Sequence, residues 1–170
     1  MGVAIKGIKI LVVILMISFA TIQLKRPYRT NPPINLSYTL EAHAKVTPEI
    51  EAILSRACAD CHSDQTRWPW YSNVAPVSWV VSGHVNDGRR SLNLSEWEKP
   101  DAGKRRISAS DRLQQMCTMA QMGMMPLDSY TMFHNDAKLS DQDIQTLCDW
   151  TDRERERLAK KIDTTSATSN

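Results

Sequence analysis

"CADCH", residues 58–62, decides how this chain is read. Two cysteines are separated by two residues, and His62 directly follows the second. Three chemistries use such a spacing: covalent haem attachment, half of a zinc site, and a redox dithiol. Structural zinc takes four protein ligands, usually as two close pairs. The remaining cysteines, Cys117 and Cys148, are isolated, and each falls on an apolar helical stripe. A redox dithiol of the thioredoxin kind expects a βαβ context, and the chain shows no β-rich alternation. Haem attachment uses all three residues. Two thiols one helical turn apart can each add to a vinyl group, and the adjacent imidazole can then ligate iron. This reading is favoured over the other two: Cys58 and Cys61 as thioether residues of one haem c per chain, His62 as the proximal ligand.

The stretch before the motif delivers it on a helix. Thr47 is a good N-cap, Pro48 suits the first helical position, and Glu49 suits the positive helix end. Ile50, Ile53, Leu54, Ala57, Cys58 and Cys61 then recur at helical spacing, so the apolar face runs into the cysteines. Further helices are expected over Val77–Val85, ending before "NDGRR", and over Ala109–Gln121, where Leu113, Met116, Cys117 and Ala120 share a face. The last helix is expected from an N-cap at Ser140, with Asp143 near a capping-box position. Ile144, Leu147, Cys148, Thr151 and Leu158 form its stripe, and Trp150 is expected to pack against the first helix of the domain. Residues 93–104, "NLSEWEKPDAGK", read as loop with a short turn capped by Ser95.

The chain's 170 residues suggest one domain with tails. A net charge of +2 gives no electrostatic case for nucleic-acid binding. Residues 1–26 form a signal or anchor segment, with Lys6 and Lys9 before an uncharged run from Ile10 to Leu24. Ala20 offers a small-residue cleavage site, but an uncleaved anchor is favoured, with Lys9 snorkelling to the headgroups. Basic residues flank the run on both sides, so the positive-inside rule does not orient it. Either way, the rest of the chain is expected outside the cytoplasm. Residues 27–46 are proline-rich and aperiodic and read as an extended linker. The haem-binding domain would be 47–158, and 159–170 a disordered tail.

Three separated motifs carry a family resemblance: "CADCHSDQTRWPWYSNVAPVSWVVSGHVNDGR", "LNLSEW" and "GMMPLDSYTMFHNDAKLSDQDIQTLCDW". Over about residues 25–155 the chain resembles the bacterial haem-binding domain family, a cytochrome c-like group of exported proteins. The resemblance implies a small all-α fold around one covalently attached haem, often behind an N-terminal membrane anchor.

Five of the eight methionines lie between Met116 and Met125. A methionine on a loop before the terminal helix is a common sixth haem ligand. In the G-x-M-P loops of cytochromes c it is the methionine before proline, which points to Met125, with Met124 as the alternative. Pro126 would stiffen that loop. Met119 and Met122 are read as soft fillers of an apolar pocket. His84 is the competing distal group. His134 is expected to hydrogen-bond near the start of the last helix, and His43 to face solvent. Trp68, Trp70, Tyr71 and Trp79 are candidates to wall the haem, and Arg67, Arg89 and Arg90 to pair with its propionates. Cys117 and Cys148 are either a disulfide or two buried thiols.

The expected protein is a membrane-anchored monohaem cytochrome on the periplasmic side of the inner membrane. It would pass single electrons to redox partner proteins and be a non-enzymatic carrier rather than a catalyst. The competing readings are a haem sensor or small peroxidase with an open sixth position and His84 as acid–base group, and a non-redox haem module.

Overall fold

Local signals in the sequence set the starts of three of the α-helices. In the computed structural model, which describes residues 2–100 and 107–168, the Thr47 hydroxyl accepts from the Ile50 amide and Pro48 opens the helix. Ser108 caps another helix through the Asp111 amide. Ser140 and Asp143 form the expected reciprocal box: the Ser140 amide and hydroxyl donate to the Asp143 carboxylate, and the Asp143 amide donates back to the Ser140 hydroxyl.

The elements are α1 (Gly2–Ile22), α2 (Leu40–His43), α3 (Pro48–Ala57), α4 (Ala59–His62), α5 (Val77–Ser91), α6 (Ala109–Gln121), α7 (Asp128–Thr131) and α8 (Asp141–Thr168). Short 3-10 turns lie at Leu36–Tyr38, Trp70–Asn73, Leu94–Glu96 and Asn135–Ala137. Among the described residues there is no strand, so the fold is all-α. The core gathers Leu40, Ile50, Leu54, Leu94, Trp97, Leu113, Leu147 and Trp150 between α3, α6 and α8. Trp150 packs there as expected and donates from its indole Nε1 to the Lys45 carbonyl at 2.9 Å. In α1, Ala4–Ile22 is long and apolar enough to cross a membrane, and none of it is buried against the rest of the chain.

Four expectations are corrected. Residues 27–46 are not a free linker. Leu40 is wholly buried, and α8 side chains meet the local backbone: Glu154 accepts from the Lys45 amide, and Arg157 donates to the His43 carbonyl. The segment's few apolar residues thus find a core that only the tertiary fold supplies. Secondly, α8 does not end near Leu158 but runs to Thr168. Its polar end is rich in helix-forming Glu, Arg and Lys and carries i,i+3 ion pairs Arg155–Asp152 and Arg157–Glu154; residues 169–170 lie outside the described residues. Thirdly, Asn93 rather than Ser95 caps the Leu94–Glu96 turn, accepting from the Ser95 amide. Residues 101–104 of the expected loop lie outside the described residues. Lastly, α5 runs through "NDGRR" to Ser91.

Cys117 and Cys148 form a disulfide that joins α6 to α8, with α-carbons 4.8 Å apart and a sequence separation of 31. Closing such a loop removes unfolded-chain entropy worth about 3–4 kcal/mol. The double substitution Cys117→Ser, Cys148→Ser is expected to lose most of that stability in denaturant unfolding. An unchanged midpoint would refute this contribution.

Candidate functional site

The motif sits at a break between two helices. α3 leaves helical geometry at Cys58 (φ −124°, ψ −44°), and α4 resumes for one turn. The His62 amide returns to the Cys58 carbonyl at 2.9 Å. This tight turn sends the three side chains in different directions. Cys58 lines a cavity of about 270 Å³ with Ala57, Leu92, Met116, Met119 and Leu147. Cys61 lines a second, of about 380 Å³, with His84, Leu127 and Tyr130. His62, Met125 and Pro126 belong to both. A third cavity of about 210 Å³ continues past Cys61 and His84 to Tyr71, Phe133 and His134.

The orientation of His62 is set by α5. Its Nδ1 lies 3.1 Å from the Gly88 carbonyl and 3.0 Å from the Leu92 carbonyl. Carbonyls only accept, so Nδ1 carries the proton and the Nε2 lone pair is free for a metal. Gly88 makes this approach sterically feasible. A Cβ there would stand 2.5 Å from the Cys61 carbonyl oxygen. This packing is why α5 passes straight through a sequence that reads as a turn: the glycine serves the close approach of α4, not a reversal.

Cys58 and Cys61 are unpaired. Burial pushes the Cys58 thiol up to about 12, reinforced by Cys61 and opposed by Arg56. Burial, then the Asp60 charge, pushes Cys61 up to about 11. Both are neutral thiols at pH 7, the opposite of the activated thiolate a redox dithiol requires. The zinc reading also weakens. Cys117 and Cys148 are consumed in the disulfide, and among the described residues no three His, Cys, Asp or Glu groups converge.

Met125 is placed by the end of α6. Gly123 takes φ +64°, the left-handed conformation that closes a helix. The amides of Met124 and Met125 then both donate to the Met119 carbonyl. Met125 faces the two cavities that hold His62 and is 37% exposed, whereas Met124 is more exposed and lines neither. Met119 lines the pocket as expected, but Met122 is exposed and is not a filler.

Other expectations shift. Arg89 is fully engaged, donating to the Ser63 and Thr30 carbonyls, Asn31 and Thr66, and so is not a free propionate partner. Arg90 pairs with Asp87 on the surface. Arg67 pairs with buried Asp60 at 3.1 Å. Of the four aromatic candidates only Tyr71 lines these cavities; Trp70 is exposed, and Trp79 donates to the Lys25 carbonyl. His134 bonds the Tyr130 carbonyl and stacks on the Tyr130 ring at 4.1 Å, rather than reaching α8. His43 is exposed, as expected.

Two residues at the site escape sequence reasoning. Asp60 is buried and accepts from the Arg67 amide, the Arg67 side chain and the Tyr130 hydroxyl at 2.7 Å. Burial, then this bond to Asp60, holds the Tyr130 phenol above its ordinary range. The usable signal was an acidic residue inside the motif itself: a buried carboxylate requires donors.

Taken together, these residues fit a haem. Adjoining apolar cavities surround a histidine with a free Nε2, two neutral thiols flank it, and a thioether lies on the cavity wall. The profile of the haem-binding domain family matches residues 17–153, and the chain belongs to that family. No curated protein and no solved structure matches it.

Proposed function

We propose that this member of the haem-binding domain family is an exported c-type cytochrome, held by α1 at the periplasmic face of the inner membrane, that passes single electrons to redox proteins. One haem would be joined covalently to Cys58 and Cys61, with His62 and Met125 holding its iron. The observation that carries the reading is His62 held through Nδ1 by Gly88 and Leu92, in cavities shared with Met125 and flanked by two unpaired thiols.

Bound haem supplies a one-electron iron couple, and a thioether ligand favours its ferrous form. The chain does the rest. The Gly88 and Leu92 carbonyls fix the imidazole tautomer and orientation. The two bonds to Met119 hold the methionine loop. The apolar walls keep water from the iron and so tune its potential. The apolar N-terminal run, with lysines before it, supports export and retention.

The test is to denature the holoprotein and extract it with acid acetone. Haem should stay with the polypeptide, and the pyridine haemochrome should have the c-type band position. Complete extraction would overturn the covalent reading. A second reading, a sensor or small peroxidase, is favoured by His84, which lines the same cavities beside Cys61 and Tyr130. Ready binding of carbon monoxide by the native ferrous protein would select it.

A further inference from the structure

Gln23 is the first residue after the apolar span Ala4–Ile22. Its side-chain amide clasps the backbone of Ala75 in both directions, Nε2 donating to the Ala75 carbonyl at 3.1 Å and Oε1 accepting from the Ala75 amide at 2.9 Å. Two residues on, the Lys25 carbonyl accepts from Trp79 Nε1 at 2.8 Å. Arg29 donates to the Ser72 carbonyl and to Asn73, and Asn31 donates to the Thr66 carbonyl. Residues 23–31 are therefore strapped along residues 66–79. A free tether would let the domain float away from the bilayer; this one fixes its height.

We propose that the face around Trp70 and Val74 lies on the lipid surface beside the point where α1 leaves the membrane. The proposal rests on the reading of α1 as a retained span. The 19-residue span is about 28 Å long at 1.5 Å per residue, close to the hydrocarbon thickness of about 30 Å. Its end, and the Ala75 backbone clasped to the next residue, therefore sit at the boundary between hydrocarbon and headgroups. The side chains at that level suit such a place. Leu24 is 83% exposed and Trp70 78% exposed, and Val74 is exposed beside them. Lys25 and Arg26 stand exposed at the same turn. An indole favours the interface, where its ring is apolar and its N–H is wet. Basic groups favour anionic lipid phosphates. The occupant is therefore a lipid headgroup layer containing anionic lipid. The loop so docked, with Pro69 and Tyr71, also walls the cavity beside Cys61.

The experiment uses the full-length holoprotein in vesicles of phosphatidylcholine and phosphatidylglycerol carrying a photoactivatable diazirine lipid. After illumination and proteolysis, label is expected in α1 and in peptides containing Trp70 and Val74. Trp70→Glu with Val74→Glu should abolish the second label while α1 labelling and haem content stay unchanged. Label confined to α1 in the wild type would overturn this proposal and leave the anchor standing. If that face is unlabelled and a cysteine placed at Trp70 instead joins two chains through a bifunctional maleimide, the patch belongs to a second copy and this proposal falls. An unlabelled α1, with protein released by an alkaline wash, would overturn the anchor reading and this proposal with it.

Discussion

Gly88→Ala is expected to cost about 3 kcal/mol or more, at the upper end of what an overpacked interior site loses, and to abolish haem incorporation. The added Cβ would meet the Cys61 carbonyl oxygen at 2.5 Å. That neighbour is backbone, so no rotamer change relieves the clash. α5 must retreat from α4, and both carbonyls that hold His62 Nδ1, those of Gly88 and Leu92, retreat with it. The imidazole then loses its fixed tautomer and direction. Gly83→Ala is the internal control. It lies in the same helix with nothing within 4 Å of the added carbon, so it should be neutral or gain up to about 1 kcal/mol of helix propensity. Urea unfolding followed by circular dichroism, with haem content per chain, reads both effects. Equal midpoints for the two variants would remove Gly88 from its assigned role.

The second large effect is expected at Met125. Met125→Ala should lower the reduction potential and open the iron to carbon monoxide, because a ligand that favours ferrous iron is gone. The oxidised wild type should show the weak red-edge charge-transfer band of sulfur–iron ligation, and the variant should lose it. Met124→Ala should change little, since that side chain is exposed and lines neither cavity that holds His62. A wild type without the band, in which His84→Ala opens the iron, would give the sixth position to His84.

How much of this was legible beforehand follows from where each signal resides. The starts of α3 and α8 were legible because capping is local. Thr47 and Ser140 act within their own turns. Cys58, Cys61 and His62 stand out as a group because they are adjacent in the sequence, at a spacing that needs no tertiary information. The course of α5 through Gly88 was not, because the reason for that glycine lies 27 residues upstream at Cys61. Nor was the burial of Leu40, which lies in a core completed by Leu94 and Trp150, 54 and 110 residues later. Arginines were the least legible. A sequence shows a guanidinium, but not that Arg89 spends its donors on Ser63, Thr30, Asn31 and Thr66.

The disulfide between α6 and α8 also constrains how the chain is made. Four cysteines admit three complete pairings, and the pairing that contains Cys117–Cys148 necessarily closes Cys58 on Cys61. If haem is attached through Cys58 and Cys61 as proposed, a fully oxidised chain would have no free thiols left for vinyl addition. On that reading Cys117 and Cys148 pair while Cys58 and Cys61 stay reduced. The fold does not order these events by itself. Cys58 and Cys61 are neighbours in the nascent chain, whereas Cys117 and Cys148 meet across 31 residues only once α6 docks on α8. The Cys58–Cys61 bridge is therefore the kinetically easier one, so the covalent attachment proposed above would require that pair to be kept reduced until haem is added.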